Sequence, residues 1–517
     1  MIPALPLLAP VFFALVGLVY MRRELPRGSA LLRLGEYAGL ASIIVSLGAL
    51  ALLIRDGSTT GPLIGAAEMG IAARIDAVSV TMLMLVSFIG WVVMRFAVTY
   101  TDGEKTQTRF LGWLSLGLAS VLLLVTAGNL IQLILGWGAV GLCVNRLLLT
   151  YPERAAAQRA ARKKALCSAA SDAGLIAGAF ALAAAYGTAD IATILDAARA
   201  GEGGGAAMLA AALLAISALF KSAQIPTHGW LTEVMEAPTP VSALLHAGVV
   251  NAGGFLLIRF ADVLLLAPGV LSVLVMIGGF SALFGGLVML TQPSVKTSLA
   301  WSTVAQMGFM ILQCGLALFP LALLHIVAHS LYKAHAFLAS GGAVAQVASI
   351  RRPGPVAIPN GRAVLKSFAL ALAIYAIIGL LLGIDGKSAQ AIVLGAVLVM
   401  GVAYLLAQGL ADAAPEVLTR RMAAYSVATT LSYFALQSIA IALTAGTVPA
   451  TPSPGPLQWA LMALTVLSFG TVAWAQATFP NWATHPAAQG LRVHLSNGFY
   501  LNAVFDRLTG GWAARNR

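Results

Sequence analysis

The chain is a succession of long apolar runs separated by short polar segments. About 15 of these runs approach the roughly 20 residues needed to cross a bilayer. They cover approximately 4–21, 36–54, 77–99, 109–127, 129–150, 165–186, 206–234, 238–261, 267–290, 296–317, 319–347, 364–383, 388–409, 422–445 and 457–477. In lipid, runs of this kind satisfy their own backbone as helices, whereas barrel strands alternate over about 10 residues. The pattern therefore predicts an all-α polytopic membrane protein. The first run, Leu5 to Tyr20, has no positive segment before it and no small-residue cleavage site after it, so it reads as a retained span.

Polar residues then orient the helices. Cations collect in every second loop: Arg22, Arg23, Arg27 and Arg33; Lys105; Arg154, Arg159, Arg162, Lys163 and Lys164; Arg351, Arg352 and Arg362; Arg420 and Arg421. The alternate loops carry few: Arg55, Arg74, Arg199 and Lys387. Positive loops stay in the cytoplasm, which predicts an outside N-terminus and a cytoplasmic C-terminus. The net charge of +12 follows from the same asymmetry and does not point to nucleic acid. The 59% hydrophobic and 10% charged content, with a mean hydropathy of +0.89, excludes an ordinary soluble protein. Cys143, Cys167 and Cys314 lie far apart in apolar stretches and read as packing residues.

Five divisions follow: N-terminal helices (1–105), a first repeat (106–262), a divergent second repeat (263–410), further helices (411–478) and a polar tail (479–517) suited to an interface or a partner. The repeats rest on Lys221-Ser222-Ala223-Gln224, which recurs as Lys387-Ser388-Ala389-Gln390 beside a Gly383–Gly386 break. Five spans separate the copies, and an odd number inverts the second, which predicts two inverted five-helix repeats.

Candidate chemistry stands inside the spans, where an ionisable residue costs about 2.5–3.5 kcal/mol. The first set is Lys221, His228, Glu233, Glu236 and His246, with Pro226, Pro238 and Pro240 breaking the helix. Lys221 lies too deep in its run to read as a snorkelling cation, and a desolvated lysine can exchange a proton. Glu233 and Glu236 read as solvated. The second set is His325, His329 and Lys333, which share one helix face at i, i+4 and i+8. His-x3-His could bind zinc, but no carboxylate or cysteine accompanies it, and a polar row that relays protons fits better. Lys296 begins the tenth run, and Asp172 is a carboxylate well inside the sixth. The sequence has no Walker A motif, dinucleotide fingerprint or iron–sulfur cysteine cluster, so no cofactor is expected in this chain and its energy comes from an ion gradient or a partner.

These residues resemble the antiporter-like subunits shared by respiratory complex I, multisubunit Na+/H+ antiporters and membrane hydrogenases. The resemblance rests on Lys221-Ser-Ala-Gln-Ile-Pro through Pro238-Thr-Pro-Val-Ser-Ala-Leu-Leu-His246, on Lys296-Thr-Ser-Leu-Ala-Trp-Ser-Thr-Val-Ala-Gln-Met-Gly308, on His325-x3-His329-x3-Lys333 and on Gly136-Trp137. It covers roughly residues 70–345. It implies a half-channel built on Lys221, a connecting His246 and a polar axis through His325, His329 and Lys333. The family places a glutamate after Gly-Trp in span 5; here that position is Gly138. Asp172 is the candidate substitute. The lysine motif expected in span 12 is also missing, and Lys387 is the candidate replacement. These departures are similar to a narrower group, the DabB subunits of an inorganic-carbon accumulation system, as is Asn497 through Leu508. That group implies a soluble zinc-binding, DabA-like partner on the cytoplasmic face of a bacterial inner membrane. The chain would then be a non-enzymatic subunit passing protons or sodium ions to drive CO2 hydration in the partner. The alternatives are a proton-pumping subunit of a redox complex or hydrogenase, a cation/proton antiporter subunit, and a structural anchor with a degenerate channel.

Overall fold

A computed structural model describes residues 2–66, 69–234, 237–342, 359–383, 386–411 and 415–508. Glu236, Arg351 and Arg352 lie outside the described residues. Among the described residues, fourteen helices are long and apolar enough to cross a membrane. In order they are α1 (Leu8–Arg22), α2 (Leu34–Asp56), α3 (Ala77–Tyr100), α4 (Gln107–Val125), α5 (Leu130–Leu148), α6 (Ala155–Tyr186), α7 (Gly204–Lys221) and α8, whose halves are Thr239–Ala247 and Ala252–Arg259. Then come α9 (Pro268–Met289), α11 (Phe319–Ala339), α12 (Gly361–Leu382), α13 (Ala389–Gly409), α14 (Glu416–Thr444) and α15 (Pro456–Ala477). Between α9 and α11 lies α10 (Val295–Gly315), which is long enough to cross but too polar for the apolar criterion. Its Ser302, Thr303 and Gln313 turn toward protein, where they meet Lys333, His246 and His325. With α10 the helices match the expected runs one for one.

Helix starts follow local chemistry. Asp76 caps α3 by accepting from Ser79 N at 2.8 Å, and Asn129 caps α5 by accepting from Gln132 N at 2.8 Å. Close approach needs small residues, because the bilayer supplies no hydrophobic drive between helices. A Cβ on Gly278 would stand 2.7 Å from the Gly308 carbonyl oxygen, and one on Gly308 would stand 2.5 Å from Ala282 N. The backbones of α9 and α10 therefore meet directly, which seats the polar α10 in the bundle.

Side-chain contacts sort the loops onto two faces. On one, Arg27 pairs with Asp102 at 2.9 Å and the Tyr151 hydroxyl donates to Glu104 at 3.0 Å. The tail, α16 (Pro486–Ser496) and α17 (Leu501–Leu508), lies on this face, where Gln292 donates to the Ser496 carbonyl. On the other face Arg259, fully enclosed, pairs with Asp76, and Arg199 pairs with Asp262 at 3.0 Å. The segment between α2 and α3 adds two short antiparallel pairs, β1 (Thr59–Thr60) with β4 (Arg74–Ile75) and β2 (Ile64–Ala66) with β3 (Met69–Ile71). The apolar periodicity carried no sign of these strands, which are too short to show one.

Two expectations are corrected. The sixth helix begins at Ala155, ten residues before the expected 165. Its Ala-Ala-Ala-Gln-Arg-Ala-Ala-Arg-Lys-Lys start is rich in strong helix formers, so the span continues backward through the cationic segment. Lys163 and Lys164 consequently leave the loop and are buried, at 2% and 3% exposure. The seventh helix ends at Lys221, not near 234, and the chain continues as an irregular segment with one short turn, Gly229–Thr232.

Replacing Gly308 with valine should cost about 3 kcal/mol or more, since the blocking atoms are backbone and cannot yield. A thermal midpoint of the detergent-solubilised protein within about one degree of wild type would contradict this close packing.

Candidate functional site

Lys221 closes α7, and the chain then leaves helical geometry for seven residues. Several polar groups of the break find partners within the protein, as a break at membrane depth requires. Ser222 Oγ donates to the Val250 carbonyl at 2.8 Å, Ile225 N donates to Ser281 Oγ at 3.3 Å, and the Gln224 amide returns to the Ser222 carbonyl. Ala223 takes a left-handed φ of +50° within the break. Pro226 sits inside the break. Pro238 and Pro240 do something else: Pro238 precedes α8 and Pro240 occupies its first turn, where a missing N–H is harmless, so both start a helix. A second interruption, Gly248 to Asn251, separates the halves of α8.

The Lys221 side chain is 4% exposed and turns toward α5. Its Nζ donates to the Trp137 carbonyl at 3.1 Å and lies 4.4 Å from the centre of the Trp137 ring. The indole is held in place by its own Nε1–H, which donates to Ser171 Oγ at 3.2 Å, while Ser171 donates on to the Ser217 carbonyl. One serine thus registers α5, α6 and α7 around the ammonium. Gly138 follows Trp137, and a Cβ there would meet open space. The acid of the family pattern is absent, but its room remains.

Asp172 stands nearby on α6. It makes no ion pair with Lys221, yet its carboxylate feels both Lys221 and Lys164 electrostatically, and Oδ1 has no hydrogen-bond partner. Lys164 donates to the Gly141 carbonyl at 2.5 Å. A Cβ at Gly141 would stand at ordinary contact distance from both, 3.7 Å from Lys164 Nζ and 3.9 Å from Asp172 Oδ2, so Gly141 borders the space in which they stand. Lys163 faces the other way and pairs with Glu233 at 2.5 Å and with Asp506 of the tail at 2.7 Å. Glu233, expected to be solvated, is therefore ion-paired and only 29% exposed.

A second line of polar groups runs from α8 through α10 to α11. Thr303 Oγ1 donates to the Leu299 carbonyl at 2.9 Å, so toward His246 Nδ1, at 3.0 Å, it accepts. The His246 proton then lies on Nδ1, and Nε2 has no protein partner. His329 Nε2 meets the His246 carbonyl at 3.1 Å, a contact in which only the ring can donate. His325 Nδ1 meets Gln313 Oε1 at 3.0 Å, leaving Nε2 unpartnered. Lys333, 0% exposed, donates to the Leu299 carbonyl and to Ser302 Oγ, both at 2.9 Å. Asn251 ties the second interruption of α8 to Ser330 at 2.8 Å. Beside this line a cavity of about 840 Å³ is bordered by Gln306, Gln313, His325, His329 and Tyr433.

The structure thus gathers Lys221, Asp172 and Lys164 at one locus, and His246, His325, His329 and Lys333 along another. It leaves two expected residues apart. Lys296 stands in the first turn of α10 at the tail-bearing face. Lys387 lies in the turn before α13, donating to Gln437 at 2.6 Å over the Phe434 ring. Lys163, Lys164 and Thr303 escaped the sequence reading. The helix-forming run ahead of residue 165 is the signal that could have exposed the two lysines.

Comparison with known proteins gives consistent matches. The family model for "NADH:quinone oxidoreductase/Mrp antiporter, TM" matches residues 127–353, and that for "NADH-Ubiquinone oxidoreductase (complex I), chain 5 N-terminus" matches residues 63–111. The chain is 38% identical over 450 residues to the "Probable inorganic carbon transporter subunit DabB2" of Halothiobacillus neapolitanus, covering 86% of this chain and 81% of that protein. It is 42% identical over 283 residues to the "Probable inorganic carbon transporter subunit DabB" of Hydrogenovibrio crunogenus, covering 52% of each. Against NADH-quinone oxidoreductase subunit L of Escherichia coli the identity is 35%, covering 54% of this chain and 46% of that one. In fold the chain is similar to a chain in the structure of the Mrp complex from Dietzia sp., with a TM-score of 0.66 and 22% identity over 98% of this chain and 59% of that one.

If the buried lysines serve chemistry rather than folding, an apolar isostere should not harm stability, since exchanging a buried charge for a packed side chain is often neutral or better. Lys221→Met and Lys333→Met should keep the thermal midpoint of the solubilised protein within about two degrees of wild type or raise it. A fall of ten degrees or so in either would mark that lysine as a structural strut.

Proposed function

The chain belongs to the antiporter-like membrane-subunit family of complex I and Mrp antiporters that includes DabB, and from that premise we propose that it conducts protons and couples their gradient to inorganic-carbon accumulation. Lys221 carries this reading: a buried ammonium at a helix break that contacts a carbonyl and an indole but no carboxylate. In a pump, a lysine paired with an acid can alternate between pairing and release. Without an acid in contact, Lys221 has no such local switch and suits a conduit that lets ions run down their gradient. The energy is then used elsewhere, by a partner subunit that hydrates CO2 to bicarbonate. A soluble, zinc-binding, DabA-like protein on the tail-bearing face fits this role, and the chemistry would lie there. The cationic loops of that face make it the cytoplasmic one, in a bacterial inner membrane, with the N-terminus outside.

Proton exchange at Lys221 is shared with Asp172 and Lys164, the charged groups in electrostatic reach of it. From there the His246, His329 and Lys333 line continues across the bundle. The interruption of α8, which follows His246 and meets the Lys221 break through Ser222 and Val250, gives this region backbone carbonyls that no α-helix consumes.

Tagged chain purified from its native membrane should bring along a soluble zinc protein; recovery of redox subunits instead would sink the carbon-uptake reading. Asp172→Ala should lower bicarbonate accumulation about 100-fold, the scale of a lost proton-transfer group, and Gly138→Glu should restore it in the same chain. Uptake unaffected by Asp172→Ala would remove Asp172 from the path.

A further inference from the structure

The C-terminal tail is bonded to the bundle along one side and leaves the other side apolar. In α17, Asn502 donates to Thr232 Oγ1 at 3.2 Å and Asp506 pairs with Lys163 of α6 at 2.7 Å. Val504 follows Asn502 by two residues and Leu508 follows Asp506 by two, so each points about 200° round the helix from a side chain that holds the bundle. Val504 is 51% exposed and Leu508 80%. The same arrangement recurs in α16. Leu495 packs against the core of the bundle, and Val493, two residues before it, is 54% exposed.

The link between the two helices is firmly seated. A Cβ on Gly498 would stand 3.1 Å from the Trp301 ring, so the tail lies flush on α10, and Phe499 packs on Phe284 with ring centres 5.7 Å apart. Phe499 and Tyr500 take left-handed φ angles of +48° and +60°. Bulky residues rarely adopt that backbone, and it persists only where the surroundings fix it. The tail therefore presents its averted side in one orientation.

Position and charge identify what covers that side. The tail crosses beneath the break at Thr232 and beneath α6, α9 and α10, so its averted side faces water and not acyl chains. Apolar side chains gathered on a water-facing surface mark an association site. Asp506, the carboxylate among the described tail residues, is turned to Lys163, whereas Arg492 and Arg507 are exposed, each next in sequence to an exposed apolar residue. Arg159 and Arg162 are exposed on α6 just before Lys163. Residues 509–517 add Arg515 and Arg517 and no acid. This charge suits a protein whose own apolar patch is bordered by carboxylates, while a second copy of the chain would set arginine against arginine.

We propose that Val493, Val504 and Leu508, with Arg492 and Arg507, form the docking surface for a soluble partner protein that presents an apolar patch bordered by carboxylates. This rests on the reading above, in which a soluble partner uses the ion flow. Docking here connects to the conduction path through α6, where Lys163 holds the tail and the adjacent Lys164 stands in the Lys221 locus.

The probe is the soluble zinc protein recovered with the wild-type chain, purified and titrated against the full chain in lipid nanodiscs. Val504→Ser with Leu508→Ser should weaken binding at least about tenfold, the scale of a lost interface anchor. Arg492→Glu with Arg507→Glu should weaken it as much, and the wild-type affinity should fall as salt rises. All four side chains are exposed, so the thermal midpoint of either variant should stay within about two degrees of wild type. Affinities within about twofold of wild type would overturn the docking surface. A photo-crosslinker placed at Val504 in the otherwise wild-type chain keeps the fold undisturbed and should join the chain to the zinc protein in native membranes. Crosslinks to lipid or to a second copy, or none at all, would overturn the proposal. If no soluble protein is recovered with the wild-type chain, the coupling reading falls and the docking surface with it. If one is recovered and binds both variants as it binds wild type, only the docking surface falls.

Discussion

Everything in this molecule depends on holding one ammonium at a place where a helix has been broken inside a bilayer. Lipid offers no hydrogen bonds, so each backbone group released by the break, and the charge of Lys221 itself, must be satisfied by protein. The break is accordingly stitched to α8 and α9 through Ser222, Val250 and Ser281, and the ammonium to α5 through the Trp137 carbonyl and ring. Trp137 is fixed by Ser171, and Ser171 by Ser217. Loosening any of these would leave a buried polar group unpaired, with the cost spread over four helices.

That arrangement accounts for an apparent deficiency. The family pattern has a glutamate at the position where this chain carries Gly138, and that glycine stands over open space. The negative charge is one helix away, on Asp172, which two lysines share without either closing an ion pair. Carbonyl and indole hold Lys221 without a carboxylate in contact. The two buried lysines of α6 divide the labour. Lys164 turns into the Lys221 locus and Lys163 out toward the tail, because adjacent residues on a helix point about 100° apart.

Much of the fold was legible in the sequence. Apolar length set the number of helices, since bilayer thickness leaves little choice. The i, i+4, i+8 spacing of His325, His329 and Lys333 made them one face before any contact was known. The errors lie where local signals compete. Proline removes a backbone donor wherever it occurs, but Pro240 at a helix start and Pro226 in a break have opposite consequences, and spacing does not separate them. Lys163 and Lys164 followed the rule that cations mark loops, and were misplaced because an alanine-rich run extended α6 beneath them.

The sequence by itself determined the class, the spans and the titratable residues, because burial in lipid acts on each residue separately and leaves its mark in composition. Which of those residues meet was decided only by the tertiary structure. Lys221 and the Trp137 carbonyl are 84 positions apart, and Asn502 and Thr232 are 270 apart. No local periodicity encodes such distances; helix packing through Gly278 and Gly308, and the seating of the tail on α10, bring them together.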